Sequence, residues 1–181
     1  MTITQTPPSL CPPHQRIAEV LGPWFVLEVL QRHEKSLAWE LSERGIGYYL
    51  PLAQRIRRHG GQLRRVVLPL FGGYLFVAGG ARVESELLDR QEHPEVIDLI
   101  HVADQKRLIG ELASLQAALA HHPSLGELIE VPAGSRHRVV AGPLQGIEVI
   151  ICQCTGRTVL AVNVLNRAVE IEIDAAMLEA A

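Results

Sequence analysis

The 181-residue sequence predicts an α+β fold: an N-terminal antiparallel sheet with flanking helices, linked to a small C-terminal all-β barrel. Three observations predict it. Short β-prone runs alternate with helical stripes over residues 23–121. Pro123, Gly126 and Pro132 then punctuate a linker at residues 122–131. From residue 132 to 181 the apolar pattern changes to the alternation that half-buried strands require. The length suits one large domain or two small ones, since domains run about 100–150 residues. Hydrophobic residues make up 48% of the chain, enough to bury a core, which excludes wholesale disorder.

Each element follows in order. Residues 1–22 hold Pro7, Pro8, Pro12 and Pro13 among polar residues and are expected to form a disordered tail. Residues 24–30 (WFVLEVL) are apolar and β-prone, and make the first strand. Residues 33–44 predict a helix: Leu37, Ala38 and Leu41 share a face, and Gly45 follows as its C-terminal cap. Residues 48–52 form a short strand around Pro51, and segment 54–65, with Gly60-Gly61 at its centre, a mobile hairpin or loop. Residues 66–77 form one long β-prone run, 82–90 a helix and 96–102 another strand. Asp104 is a good N-cap, and Leu108, Leu112, Leu115 and Leu119 then lay one apolar stripe on a helix reaching about His121. In the barrel, Val169, Ile171 and Ile173 alternate with Glu170, Glu172 and Asp174. Thr155-Gly156 and Leu165-Asn166 occupy hairpin turns, because Gly and Asn tolerate positive φ. The two halves share no internal repeat.

The net charge is −3, which excludes a globally basic nucleic-acid coat. The average hides an asymmetry. Residues 44–83 carry seven arginines and no acid, so +7 there leaves −10 for the rest. Arg55, Arg57, Arg58, Arg64 and Arg65 flank the Gly60-Gly61 tip. Guanidinium groups pair well with phosphate, and such an arm suits a nucleic-acid backbone. A solvated loop is the competing reading. No aromatics are interleaved for stacking, so the arm is expected to touch backbone rather than bases.

Other function classes find little support. No G-x-S-x-G, P-loop, G-x-G-x-x-G or H-E-x-x-H motif occurs, so no catalytic residue and no cofactor is assigned. Cys152-x-Cys154 would put two thiols on one face of a strand, but His137 is the lone further ligand nearby, so the pair is read as core and no metal site is assigned. His121-His122 closes a helix, where imidazole meets the last carbonyls. The longest uncharged stretch, 66–81, contains Pro69 and four glycines and is shorter than the roughly 18–20 apolar residues of a membrane span. With no charged-then-apolar leader and three cysteines, the expectation is a cytoplasmic monomer without a membrane segment.

Two stretches resemble a known family. The first is Pro69-Leu-Phe-Gly-Gly-Tyr-Leu-Phe-Val77, preceded by Trp24-Phe-Val-Leu27, by Glu34, Ala38 and Leu41, and by Tyr49-Leu-Pro51. It is similar to the N-terminal domain of NusG-like transcription factors. The second is Gly134 with Val139-Val-Ala-Gly142-Pro-Leu-Gln-Gly146, followed by Val162-Asn-Val-Leu-Asn-Arg167 and Val169-Glu-Ile-Glu-Ile-Asp174. It resembles the SH3-like KOW barrel those factors carry. Together they cover roughly residues 23–180 in family order.

The resemblance implies a non-enzymatic elongation or antitermination factor, with a specialised RfaH-like paralogue as one form of it. RNA polymerase would dock on an aromatic-lined depression, which assigns Phe71, Tyr74, Gly73 and Trp24 to that contact. Phe71 is expected to be partly exposed, Trp24 and Phe76 to be core. Basic residues would lie near upstream or non-template DNA. The barrel would recruit a small ribosomal-subunit protein or a termination factor through Val164, Leu165 and Arg167, with Leu165 exposed in a tight turn. Gly72 stands where the family usually has Pro, Val149 and Asn166 where it usually has Gly, and 82–86 reads Arg-Val-Glu-Ser-Glu, of which Ser85 alone is similar to a polymerase-gate motif. Alternatives are a general factor assisting termination, an RNA-binding ribosome or translation factor, and an enzyme with a cryptic site.

Overall fold

The computed structural model describes residues 6–13, 15–124, 128–153 and 155–181. Along the first part run β1 (Leu10–Cys11), β2 (Trp24–Val29), α1 (Glu34–Glu43), β3 (Gly47–Tyr49), β4 (Leu52–His59), β5 (Gln62–Pro69), β6 (Tyr74–Ala78), α2 (Ala81–Leu87), β7 (Val96–His101) and α3 (Gln105–His121). The second part is β8 (Leu128–Glu130), β9 (Gly134–Val139), β10 (Glu148–Cys152), β11 (Thr158–Val162), β12 (Arg167–Glu170) and β13 (Leu178–Ala180).

The fold is α+β, with every strand pairing antiparallel. The first sheet has the order β1-β3-β6-β2-β7. Strand β2, interior to this sheet between β6 and β7, is buried on both faces, which explains a continuous apolar run where a half-exposed strand would alternate. Phe25, Leu27 and Val29 meet Leu37, Ala38 and Leu41 of α1 and Leu87 of α2 on one side. Trp24 and Val26 join Phe76 and the leucines of α3 on the other. The second sheet, β13-β9-β10-β11-β12-β8, is a small barrel-like unit. The hairpin β4–β5 forms a separate two-stranded sheet.

Helix α3 obeys its local signals. The Asp104 side chain accepts from the Arg107 N–H at 2.9 Å, satisfying a free N-terminal donor. Leu108, Leu112, Leu115 and Ala118 are buried, while Leu119 is half-buried. One apolar cluster runs from Trp24 and Val26 through these leucines to Val149, Leu160, Val162 and Val169 of the second sheet. The helix is therefore the shared wall of both sheets.

Several expectations are corrected. The N-terminal segment is no free tail over its described part. Leu10 pairs with Tyr49 and Cys11 with Tyr48, the Ser9 carbonyl accepts from Leu50 N–H at 2.7 Å, and Ile17 is fully buried beside α3. Proline forbids helix interiors but suits extended edges, so a Pro-rich segment with a few apolar anchors can dock. The run 66–77 is broken, because Pro69 ends β5 and a turn at 70–73 precedes β6. The 48–52 strand is likewise divided between β3 and β4. Leu128–Glu130, expected in the linker, adds β8 to the open edge of β12. The strand expected through Ile173 stops at Glu170. Gly126 and Cys154 lie outside the described residues, and Cys152 is buried.

Candidate functional site

The expected polymerase contact centres on the turn at 70–73. Gly73 has φ +84°, a conformation that favours glycine. Its N–H donates to the buried carboxylate of Glu34, the first residue of α1, at 2.6 Å. Its carbonyl accepts from Val29 N–H at 2.8 Å, so the turn is gripped from two elements. This geometry turns Phe71 inward. Phe71 is 2% exposed and meets Phe76 edge-to-face, centroids 6.3 Å apart at 83°. Phe76 in turn stacks on Tyr49 at 6.4 Å. The expected partial exposure of Phe71 is thus corrected, and Tyr74, half-buried, is the member of the pair that reaches the surface. Trp24 and Phe76 are core, as expected. The Trp24 indole N–H is buried without a hydrogen-bond partner among the described residues. Its main chain is held by Gln105, which accepts from Trp24 N–H and donates to Trp24 O, both at 2.7 Å.

Burial also acts on nearby titratable groups. It pushes the Tyr48 phenol up to about 12, helped by Cys11 and opposed by a hydrogen bond with Ser42. It raises Tyr49 further and raises the Cys11 thiol. It lowers Lys35, against the pull of Glu34; the Lys35 ammonium donates to Val67 O at 2.6 Å, tying α1 to β5.

The arginine segment is a regular hairpin with eight residues per strand. Gly60 and Gly61 have φ +57° and +82°, the paired positive values of a two-residue turn that matches strand twist. Arg57, Arg58, Arg64 and Arg65 are exposed, and Arg55 is half-buried near the base. Arg57 and Arg64 are direct cross-strand partners. Like charges opposite one another destabilise a ribbon, and an anion between them relieves that repulsion. The base is anchored: Ala53 is buried, and Gln54 N–H donates to Pro123 O at 2.8 Å.

The barrel tip lies against α3. Glu111 of α3 accepts from the Asn163 main-chain N–H at 2.9 Å and also from the Asn163 side-chain amide. Arg107 donates to the same carboxylate at 3.0 Å. The tip is a 3-10 turn at Asn163–Leu165, closed by Asn166 at φ +49°. Leu165 is half-buried against the shared core, which corrects its expected exposure; Arg167 is exposed. The Val164 side chain lies outside the described residues. A groove of about 570 Å³ runs beside this contact, lined by Lys106, Arg107, Glu111, Arg136, Glu148 and Asn163 among others.

Sequence reasoning did not find the roles of Glu34, Gln105 or Glu111, since each partner is distant in the chain. It also missed a cluster at His93. This buried imidazole lies 3.4 Å from Glu95 and 3.7 Å from Glu40, with the Arg44 guanidinium 3.3 Å from its Nε2. Arg44 also bridges to Glu86, so the cluster fastens α1 and α2 to the start of β7. The three potential ligand atoms lie within 4.8 Å of one another, and the Arg44 guanidinium is already engaged with two of the residues, Glu40 at 3.1 Å and His93 at 3.3 Å. No helix among the described residues is long and apolar enough to cross a membrane.

Residues 22–108 match the family described as Transcription termination factor nusG. The matched stretch contains the 70–73 turn and the whole arginine hairpin, and it ends in the first turn of α3. No curated protein matches the chain. Over residues 22–108, the chain is similar to the NusG-like family of transcription factors.

Proposed function

We propose that this protein is a non-enzymatic elongation factor of the antitermination type, with two units that divide near residues 122–131. The first unit binds RNA polymerase through the surface around Tyr74, shaped by Gly73 and backed by Phe71 and Trp24. The hairpin lies along upstream or non-template DNA and neutralises backbone phosphate through Arg57, Arg58, Arg64 and Arg65, with Arg55 at its base. The barrel recruits a small ribosomal-subunit protein or a termination factor through Val164, Leu165 and Arg167. The factor suppresses pausing by binding the pause-resistant polymerase more tightly than the paused one.

The observation that supports this reading is a projecting, acid-free arginine hairpin inside the NusG-matched stretch. The test is retention on an elongation complex across a salt series. Serine at positions 57, 58, 64 and 65 should flatten the log–log slope by about 0.9 for each phosphate no longer neutralised. Parallel slopes would overturn the DNA contact. A termination assay with the same complexes separates read-through from assisted termination.

A further inference from the structure

We propose that the hairpin β4–β5 recognises an opened step of DNA, a duplex–single-strand junction, by wedging Ile56 and Leu63 against unstacked bases. This rests on the proposed DNA contact and goes beyond it, since phosphate pairing alone gives these two side chains no role.

The register places them. Ile56 is opposite Arg65, and Arg58 is opposite Leu63. Residues directly opposite share a face, as do residues two apart on one strand. Ile56, Leu63, Arg58 and Arg65 therefore make one face, with the apolar residues on one diagonal and the arginines on the other. Arg55, Arg57 and Arg64 belong to the opposite face. Ile56 is 68% exposed and Leu63 69%, so neither contributes to the core of the free protein.

Charge selects the occupant. A second copy of the hairpin is repelled, because residues 44–83 carry +7 without an acid. A protein partner would need acidic groups on both sides of an apolar strip. DNA supplies phosphate to the arginines of either face, and base faces to the Ile56–Leu63 diagonal flanked by Arg58 and Arg65. Intact duplex hides those faces in the stack. A fork or kinked step offers them, and apolar side chains such as Ile and Leu serve as wedges at such steps.

The experiment uses the full chain at low salt, with a forked DNA carrying 2-aminopurine at the junction, an intact duplex of equal length, and the same fork made of RNA. Wild type should bind the DNA fork about tenfold more tightly than the duplex, as expected for burying part of two apolar side chains. It should also change the 2-aminopurine emission. Ile56→Thr with Leu63→Thr keeps strand propensity and should equalise fork and duplex while preserving the salt slope. Arg57→Ser with Arg64→Ser should weaken both DNAs and flatten the slope while keeping the fork preference. A fork preference that survives the threonine pair, or that is missing from wild type, would overturn the wedge. Equal or tighter binding of the RNA fork would overturn its assignment to DNA. A salt slope unchanged by the serine pair would instead refute the backbone contact, leaving the two failures distinct.

Discussion

The main-chain N–H of Gly73 donates to the Glu34 carboxylate across 2.6 Å, joining the first turn of a helix to a sheet turn 39 residues away. The bond fixes which way the aromatics beside Gly73 face. Glu34→Ala leaves that N–H without its acceptor and should cost about 2 kcal/mol in denaturant unfolding. Glu34→Gln keeps an acceptor and should cost less. Equal losses would show that the carboxylate matters for its packing alone.

Phe71 and Tyr74 should separate stability from binding. Phe71→Ala removes a buried ring from the Phe76–Tyr49 cluster and should cost about 3–5 kcal/mol. Tyr74→Ala, at a half-buried position, should leave the unfolding midpoint closer to wild type and weaken polymerase retention more. The reverse ranking would move the polymerase contact off this surface.

Glu111 and Asn163 should be energetically coupled. A double-mutant cycle with alanine at both positions should give an interaction of roughly 0.5–3 kcal/mol, as for residues in direct contact. Glu111→Ala alone should loosen the barrel from α3, which faster limited proteolysis near residues 122–131 would report. Additive effects would mean the contact carries no net energy.

Alkali should unfold the protein through its buried phenols. Tyr48 titrates at about 12 in the fold against 10 when free, and Tyr49 is raised as well. The Tyr48 contribution is complete below pH 10 and is lost as pH climbs through 12, because the unfolded chain ionises first, and Tyr49 extends the loss to higher pH. The Cys11 thiol, also raised, acts in the same direction. Tyr48→Phe should flatten the loss of stability between pH 10 and 12, measured by chemical unfolding at each pH. The hydroxyl's bond to Pro8 O, absent from that variant at every pH, only offsets the curve.

Local signals made the helices and the hairpin tip legible. Asp104 caps α3 through a neighbour three residues away, and Gly60-Gly61 makes its turn within the tip itself. Legibility failed where a residue's position depends on a distant partner. Phe71 points inward because Glu34 holds Gly73. Leu165 is covered because α3 lies beneath it. Leu10 and Ile17 are too sparse among prolines to show a period, yet β3 and α3 cover them. The aromatic part of the candidate site was found by resemblance, and its exposed member was misassigned for the same reason.

A helix that walls two sheets sets a threshold for whatever approaches the barrel. Swinging the barrel from α3 returns Leu160, Val162 and the flank of the leucine stripe to water. A ligand that needs Leu165 uncovered binds with its intrinsic affinity divided by the rarity of the open form. Weak or accidental ligands are filtered out by that factor, and a ligand held nearby at high local concentration is not. For such a ligand, core packing in this chain would separate encounters in bulk solution from encounters on a shared scaffold.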